Sequence, residues 1–168
     1  MHLHLPLVEH CARRFRHRGG VSLVVAAPTL RLADHPGQGA EPDQEERHLS
    51  HFDRMMAQRG VRPTVLQPFW HVAGHALGAA TALMSPSAAM ACTAAVEDEI
   101  DSHYSEQLAA LGQEEPELAA TIAEFQADER DHRDTAIAAG AEDSFGYPLL
   151  YAAIRTGCRV AIELSKRI

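Results

Sequence analysis

Glu129-Arg130-Asp131-His132 repeats the spacing of Glu45-Glu46-Arg47-His48, and these two stretches decide how the chain is expected to fold. Each places a histidine three residues after a glutamate, within sequence typical of a helix. Positions i and i+3 of a helix lie on one face, so each pair can direct a carboxylate and an imidazole at one point. Glu97 lies between the two stretches, directly after the apolar run Ala88–Val96. The three segments therefore predict helices whose side chains converge.

These segments supply five of the six ligands that di-iron carboxylate helix bundles use. Such a bundle takes a Glu-x-x-His pair from each of two helices and a single glutamate from each of two others. A carboxylate beside an apolar run is costly to bury unless it is paired or bound to a metal. Carboxylate and imidazole ligands together suit iron or manganese. Taken alone, a Glu-x-x-His pair is more often a solvated helix face. Together, the segments predict a metal site made by Glu45, His48, Glu97, Glu129 and His132.

The sixth ligand is missing from the position where spacing would place it. Glu97 precedes Glu129 by 32 residues, so an equivalent glutamate should precede Glu45 near residue 13. Arginines and a phenylalanine occupy residues 13–15 instead, in a region with no helical pattern. The spacing therefore predicts an incomplete ligand set.

Length and charge narrow the class of protein. The chain has 168 residues, enough for one domain with a buried core. Its net charge is −8, and residues 1–33 hold five arginines against one glutamate, so the remainder is strongly acidic. An acidic body argues against nucleic acid as a partner. The three cysteines lie far apart in the sequence, which favours reduced thiols in a cytosol-like compartment over a disulfide framework or a zinc site.

The sequence predicts an all-α fold. Residues 1–43 are broken repeatedly by glycine and proline and are predicted as an irregular segment, disordered or non-homologous. A helical domain is expected over residues 44–168, because the linkers are short and no segment alternates as a strand does. Asp43 is expected to cap its first helix. Helices are predicted over residues 44–59, 62–84, 86–111, 114–139 and 147–166.

The apolar segment 72–96 has the length of a membrane span but is not predicted to cross a bilayer. Ser85-Pro86-Ser87 interrupts it, because Pro86 suits the first turn of a new helix and Ser85 can cap that helix. Neither half has the roughly 18–20 apolar residues that a span needs. The two halves instead fit a bundle core or an apolar surface that lies on a membrane.

A family resemblance covers about three quarters of the chain, from residue 45 to residue 168. The matching stretches are, in order, Glu45-Glu46-Arg47-His48-Leu49, Arg62-Pro63-Thr64, Pro68-Phe69-Trp70, Leu77-Gly78-Ala79, Thr81-Ala82-Leu83, Ala88-Ala89-Met90-Ala91-Cys92-Thr93, Ala95-Val96-Glu97, His103-Tyr104, Asp128-Glu129 with His132, Gly157-Cys158-Arg159, Ala161-Ile162 and Leu164-Ser165. The run at residues 88–93 and the ending at residues 158–162 are distinctive. By these stretches the chain resembles the demethoxyubiquinone hydroxylase family.

The resemblance implies a ferritin-like helical bundle in which the five ligands named above hold two iron ions. It implies an O2-dependent 3-demethoxyubiquinol 3-hydroxylase of ubiquinone biosynthesis, with electrons from NADH or from the quinol itself. It also implies a peripheral membrane protein on the cytoplasmic face of a bacterial cell membrane, helped by a lipid-binding accessory protein. The pair His103-Tyr104 is implied to assist catalysis by moving electrons or protons.

The chain departs from the family at the first ligand. The family's glutamate belongs to an Asp-His-x-Gly-Glu-x-Gly-Ala segment that opens the first bundle helix. This chain has Asp34-His35-Pro36-Gly37-Gln38-Gly39-Ala40, with Gln38 in place of that glutamate and a short linker before Glu45. We therefore expect the first bundle helix to be missing or replaced. The alternative function is a catalytically impaired relative that keeps the bundle and binds quinone or protein, and iron storage fits the sequence less well.

Two further pairs of residues have positions that suggest a role. Tyr104 lies seven residues after Glu97, on nearly the same helix face, whereas His103 is rotated away by about 120° on helix geometry. His71 and His75 are spaced as i and i+4, as metal ligands can be, but no acidic residue accompanies them. We expect His71 and His75 to lie at an interface or to be partly exposed, and not to bind a metal.

Overall fold

The computed structural model describes residues 41–60 and 62–167, and this part of the chain contains helices and no strands. The elements are α1 (Glu41–Arg59), α2 (Gln67–Met84), α3 (Pro86–Leu111), α4 (Pro116–Ala138), a short 3-10 helix (Ala141–Asp143) and α5 (Tyr147–Ser165). The predicted all-α fold is confirmed. What was predicted for residues 1–40 lies outside the described residues.

The two helix starts that were predicted least accurately are those of α1 and α2. α1 begins at Glu41, so Asp43 lies within the helix and the prediction that it caps α1 is wrong. α2 begins at Gln67, five residues after the predicted start. The residues before it form a turn, in which the Leu66 N–H donates to Thr64 Oγ1 at 3.3 Å.

α3 begins and ends where the sequence predicts. The Ala88 N–H donates to Ser85 Oγ at 3.0 Å, and Pro86 stands in the first turn, where its missing N–H costs no hydrogen bond. Gly112 ends the helix with φ of 56°, a conformation that costs other residues more than glycine. The break at Ser85 separates α2 from α3, as predicted. In residues 41–60 and 62–167, no helix has both the length and the apolar character that crossing a membrane requires.

α3 is the central helix of the bundle. It packs against α2, α4 and α5, while α1 packs against α4. One apolar core joins α1, α3 and α4 and consists of Phe52, Met55, Tyr104, Leu118, Ile122 and Phe125. Around the first half of α3 the core is built of small side chains, among them Ala91, Ala94 and Ala95, which let neighbouring helices approach closely.

An ion cluster fixes α5 on α3. The buried carboxylate of Glu99 accepts hydrogen bonds from Arg155 Nε at 3.2 Å and from Arg159 Nε at 2.8 Å. Cys92 and Cys158 contribute to the apolar contact between the same two helices. Burial raises the pKa of both thiols, that of Cys158 to about 11, so both stay protonated at neutral pH. Their surroundings fit the predicted role of small core residues.

Candidate metal centre

The candidate metal centre lies where α1, α3 and α4 meet. Glu97 of α3 and Glu129 and His132 of α4 each offer a ligand atom, and these atoms lie within 4.8 Å of one another. All three residues are buried. The i, i+3 spacing places Glu129 and His132 on one face of α4, as the sequence predicts, and α4 turns that face toward Glu97.

His48 brings α1 into the same cluster. Its side chain is fully buried, and its Nδ1 lies 3.3 Å from Glu129 Oε1. On the other side, His132 Nδ1 lies 3.6 Å from Glu129 Oε2. The two oxygens of Glu129 therefore face two different imidazoles.

The fifth predicted ligand, Glu45, is placed by its backbone only. It belongs to α1, three residues before His48. Its side chain, like Gln38 and residues 13–15, lies outside the described part of the chain. The structure therefore brings together four of the five predicted ligands and leaves Glu45 as a prediction.

The charge of Glu129 is set by its neighbours. Burial by itself would raise the pKa of this carboxyl, but the facing imidazoles of His132 and His48 and the neighbouring Glu97 carboxyl outweigh burial and lower the pKa to about 2. Glu129 is therefore a carboxylate at neutral pH. A buried anion flanked by imidazoles is a site that attracts a cation.

Two residues that were not predicted from the sequence contact the outer nitrogens, Nε2, of the His48 and His132 imidazoles. His48 Nε2 lies 2.9 Å from Asp128 Oδ2, and His132 Nε2 lies 2.8 Å from Gln44 Oε1. The Arg47 guanidinium also contacts Asp128. Gln44 and Asp128 each directly precede the glutamate of a Glu-x-x-His stretch, and this shared position was the available signal.

The pair His103-Tyr104 is divided between two environments. Tyr104 is buried in the apolar core with Phe52 and Phe125, and the Phe125 ring lies 4.0 Å from the His48 ring. His103 points elsewhere and lies 2.9 Å from Gln107 Nε2. Burial, with a smaller contribution from a nearby lysine, lowers the pKa of His103, so its imidazole is neutral at pH 7. A catalytic role for the pair stays a prediction.

His71 and His75 lie away from the candidate metal centre. Both side chains are exposed on α2, and His75 Nδ1 lies 2.8 Å from the His71 carbonyl oxygen, to which it donates. Their ring centroids are 6.5 Å apart. Their exposure agrees with the expectation from the sequence.

The donor set of the centre fits a transition metal. Buried carboxylate oxygens and imidazole nitrogens are the ligands that iron and manganese accept in helix bundles. Each imidazole that would bind also has a partner at its outer nitrogen, as ligating histidines usually do. The residues present therefore fit a metal site.

Comparison with known proteins agrees with this geometry. The family model described as ubiquinone biosynthesis protein COQ7 matches residues 29–165. The match begins within the segment predicted to be irregular and covers all five helices.

Three relatives are named as hydroxylases of demethoxyubiquinol or demethoxyubiquinone. A protein of Rhodospirillum rubrum named 3-demethoxyubiquinol 3-hydroxylase is 50% identical over 125 residues, 74% of this chain and 59% of that protein. A protein of Bos taurus named NADPH-dependent 3-demethoxyubiquinone 3-hydroxylase, mitochondrial, is 46% identical over 130 residues, 75% of this chain and 60% of that protein. A protein of Saccharomyces cerevisiae named 5-demethoxyubiquinone hydroxylase, mitochondrial, is 40% identical over 141 residues, with the same shares covered.

The chain spans about three fifths of the length of these curated relatives. Within that span, the family model matches residues 29–165, and these relatives are 40–50% identical to the chain. The chain therefore belongs to the family of ubiquinone biosynthesis protein COQ7, whose fold is a ferritin-like helical bundle.

Proposed function

We propose that the chain is a di-iron monooxygenase that hydroxylates the ring of a demethoxyubiquinol in ubiquinone biosynthesis. The observation that carries the proposal is the buried cluster of Glu97, Glu129 and His132, with His48 facing the same carboxylate. The names of the relatives supply the substrate class and the reaction.

The proposed metal ligands are Glu97, Glu129, His48 and His132, with Glu45 as the fifth. Two iron ions bound there would supply the activation of O2 from which one oxygen atom passes to the quinol ring. Glu129 would supply both of its carboxylate oxygens to the site, since each oxygen faces a different imidazole. Phe125 packs against the His48 ring, and Phe52 packs against Phe125, so aromatic side chains cover this side of the cluster.

The proposed electron source is a reduced nicotinamide nucleotide. The resemblance implies NADH, and the Bos taurus relative is named NADPH-dependent, so both nucleotides should be compared. Tyr104 is proposed to assist because it lies in the aromatic core that contacts His48 through Phe125. His103 is the proposed second member of that pair.

We also propose that the protein rests on a membrane surface, where a quinol with an apolar tail would be found. α2 exposes an apolar stripe that includes Phe69, Val72 and Leu83, with exposed fractions of 59%, 71% and 88%. α5 exposes a second stripe with Leu149 and Val160. Apolar stripes of this kind mark membrane or protein contacts. The proposed location is the cytoplasmic face of a bacterial cell membrane, with a lipid-binding accessory protein as a further partner.

Iron content and turnover test the function together. The purified chain is loaded anaerobically with Fe2+, desalted, and assayed for iron and for O2-dependent conversion of a short-tailed demethoxyquinol with NADH or NADPH. Two irons per chain and hydroxylated product are expected. Glu97→Ala should lose both, whereas Glu106→Ala, an exposed change on the same helix, should lose neither.

The outcomes separate the alternatives. Iron content that is unchanged in Glu97→Ala would reject the site assignment. A chain that binds no iron and yields no product, but binds the quinol, would support the impaired relative that keeps the bundle as a quinone-binding module. Iron uptake far above two per chain would point to storage.

A further inference from the structure

The residue that precedes each Glu-x-x-His stretch contacts the histidine of the other stretch. Asp128, which precedes Glu129 in α4, contacts His48 of α1. Gln44, which precedes Glu45 in α1, contacts His132 of α4. α1 and α4 run antiparallel, so the residue before the glutamate on one helix lies beside the histidine on the other. The two contacts are therefore equivalent in position. They differ in chemistry, because His48 contacts a carboxylate and His132 contacts an amide.

Both imidazoles are oriented in the same sense. Each presents Nδ1 to Glu129, at 3.3 Å for His48 and 3.6 Å for His132. Each presents Nε2 to its outer partner, at 2.9 Å for His48 and 2.8 Å for His132. A neutral imidazole that binds a metal through Nδ1 must carry its proton on Nε2, so Nε2 donates to Asp128 in one case and to Gln44 in the other.

We infer that Asp128 and Gln44 are positioning residues that make the two halves of the metal centre unequal. A hydrogen bond to a carboxylate is roughly twice as strong as one to a neutral acceptor, and it transfers more electron density to the ligating nitrogen. His48 is therefore the stronger donor and His132 the weaker one. The inference rests on the proposed metal site. It adds that the position beside His48 binds a metal ion more tightly than the position beside His132.

Arg47 belongs to the same arrangement. Its guanidinium contacts Asp128 and lies 2.8 Å from Glu124, and it packs over the Phe125 ring. Arg47 and His48 contact the same oxygen of Asp128, Oδ2, so Arg47 helps to position that carboxylate against the imidazole. Gln44 can only accept through its neutral amide oxygen, and this is the physical origin of the difference.

Stepwise binding of Co2+ to the metal-free full chain tests the inference. The probe is Co2+ alone, followed by its visible absorption and by calorimetry. The chain should bind two ions in two separable steps. Asp128→Asn should weaken the tighter step by about 10- to 100-fold, the usual effect of losing a partner of a ligating histidine, and change the other step much less. Gln44→Glu should strengthen the weaker binding step. The double variant, Asp128→Asn with Gln44→Glu, should make the His132 side the tighter of the two.

Asp131→Asn is the matched control. It removes the same charge from the same helix, three residues from Asp128, at an exposed side chain. Because its effect is only long-range and screened, it should change both steps slightly and equally. If Asp128→Asn also changes both steps equally, the inference is overturned while the metal site stands. If no Co2+ binds to the unmodified chain, the proposed site and the inference fail together.

A measurement without metal gives a second readout. Long-range proton–nitrogen NMR spectra of the metal-free chain resolve the ring signals of His48 and His132. Asp128→Asn should shift the His48 ring signals and leave those of His132 in place, and Gln44→Glu should do the opposite. Equal shifts of both rings in either variant would contradict the inferred pairing.

Discussion

At the scale of single residues, the sequence indicates the environment of a side chain only where neighbouring residues in the sequence determine it. Glu97 follows an apolar run, and the residue is buried, with 5% of it exposed. Glu99 is equally buried, with 4% exposed, but nothing near it in the sequence indicates this. Its partners Arg155 and Arg159 lie on α5, more than 50 residues away. Gln44 and Asp128 escaped prediction for the same reason, because their partners belong to another helix.

The partly buried imidazole of His103 should make the stability of the protein sensitive to acid. Burial lowers the pKa of His103 in the folded chain, and Lys166 adds to this, although Glu106, Glu163 and Glu99 oppose it. The unfolded chain therefore takes up the proton more readily, and stability is lost as pH falls through the ordinary histidine range near 6.5. His103→Gln should lessen the loss between pH 7 and pH 5, by less than about 1.4 kcal/mol per pH unit, the limit for one proton.

Urea unfolding at several pH values measures this effect. His71→Gln is the control, because it makes the same exchange at an exposed position on α2. An identical slope in the His103→Gln variant and the unmodified chain would show that His103 does not titrate differently on folding.

At the scale of helices, the sequence defined those ends that a single residue determines. Pro86 and Gly112 bound α3 as predicted. Asp43 was predicted as a cap because Pro42 was taken as a break, whereas both residues lie within α1. The start of α2 was misplaced because the segment after Arg62 forms a turn, whose bond from the Gln67 N–H to the Thr64 carbonyl oxygen has no clear sequence signature.

The cap of α3 should contribute measurably to stability. Ser85 Oγ accepts from the Ala88 N–H at 3.0 Å, at the point where α2 ends and α3 begins. Ser85→Ala should lower the free energy of unfolding by about 1 kcal/mol, within the usual range for lost caps. Ser87→Ala removes a nearby hydroxyl that contacts Ser85 Oγ and should cost less, since it reaches no backbone N–H among the described contacts. Chemical denaturation compares the two, and an equal loss would argue against the capping role.

At the scale of the whole molecule, composition and periodicity predicted the all-α fold but not the order of packing. The segment 72–96 is continuous in apolar character, and nothing in it says that α3 becomes the central helix while α2 keeps an exposed stripe. That difference arises from contacts of α3 with α4 and α5, which follow later in the chain. The candidate site was predictable to the extent that it depends on i, i+3 spacing, and its outer partners were not.

The core that joins α1, α3 and α4 should govern global stability. Ile122 is fully buried there, among Phe52, Phe125 and Tyr104. Ile122→Ala should lower the free energy of unfolding by about 2–5 kcal/mol, because it removes buried methyl groups and leaves a cavity. Leu83→Ala changes a side chain that is 88% exposed and should stay within about 0.5 kcal/mol. Thermal and urea unfolding measure both, and a small loss for Ile122→Ala would mean that this core is not cooperative with the rest.

The proposed membrane contact should depend on apolar surface and not on charge. The chain is acidic, with a net charge of −8, so anionic lipids should repel it, and the exposed stripe on α2 must supply the attraction. Binding to neutral phosphatidylcholine vesicles is expected to equal or exceed binding to anionic vesicles, and added salt should strengthen binding to the anionic vesicles by screening repulsion.

Phe69→Ser with Val72→Ser should reduce co-sedimentation with neutral vesicles several-fold, whereas Ala123→Ser with Ala127→Ser, exposed on α4, should not. Binding that needs anionic lipid and disappears at high salt would instead place the contact on basic residues, and the α2 stripe would have to serve a protein partner.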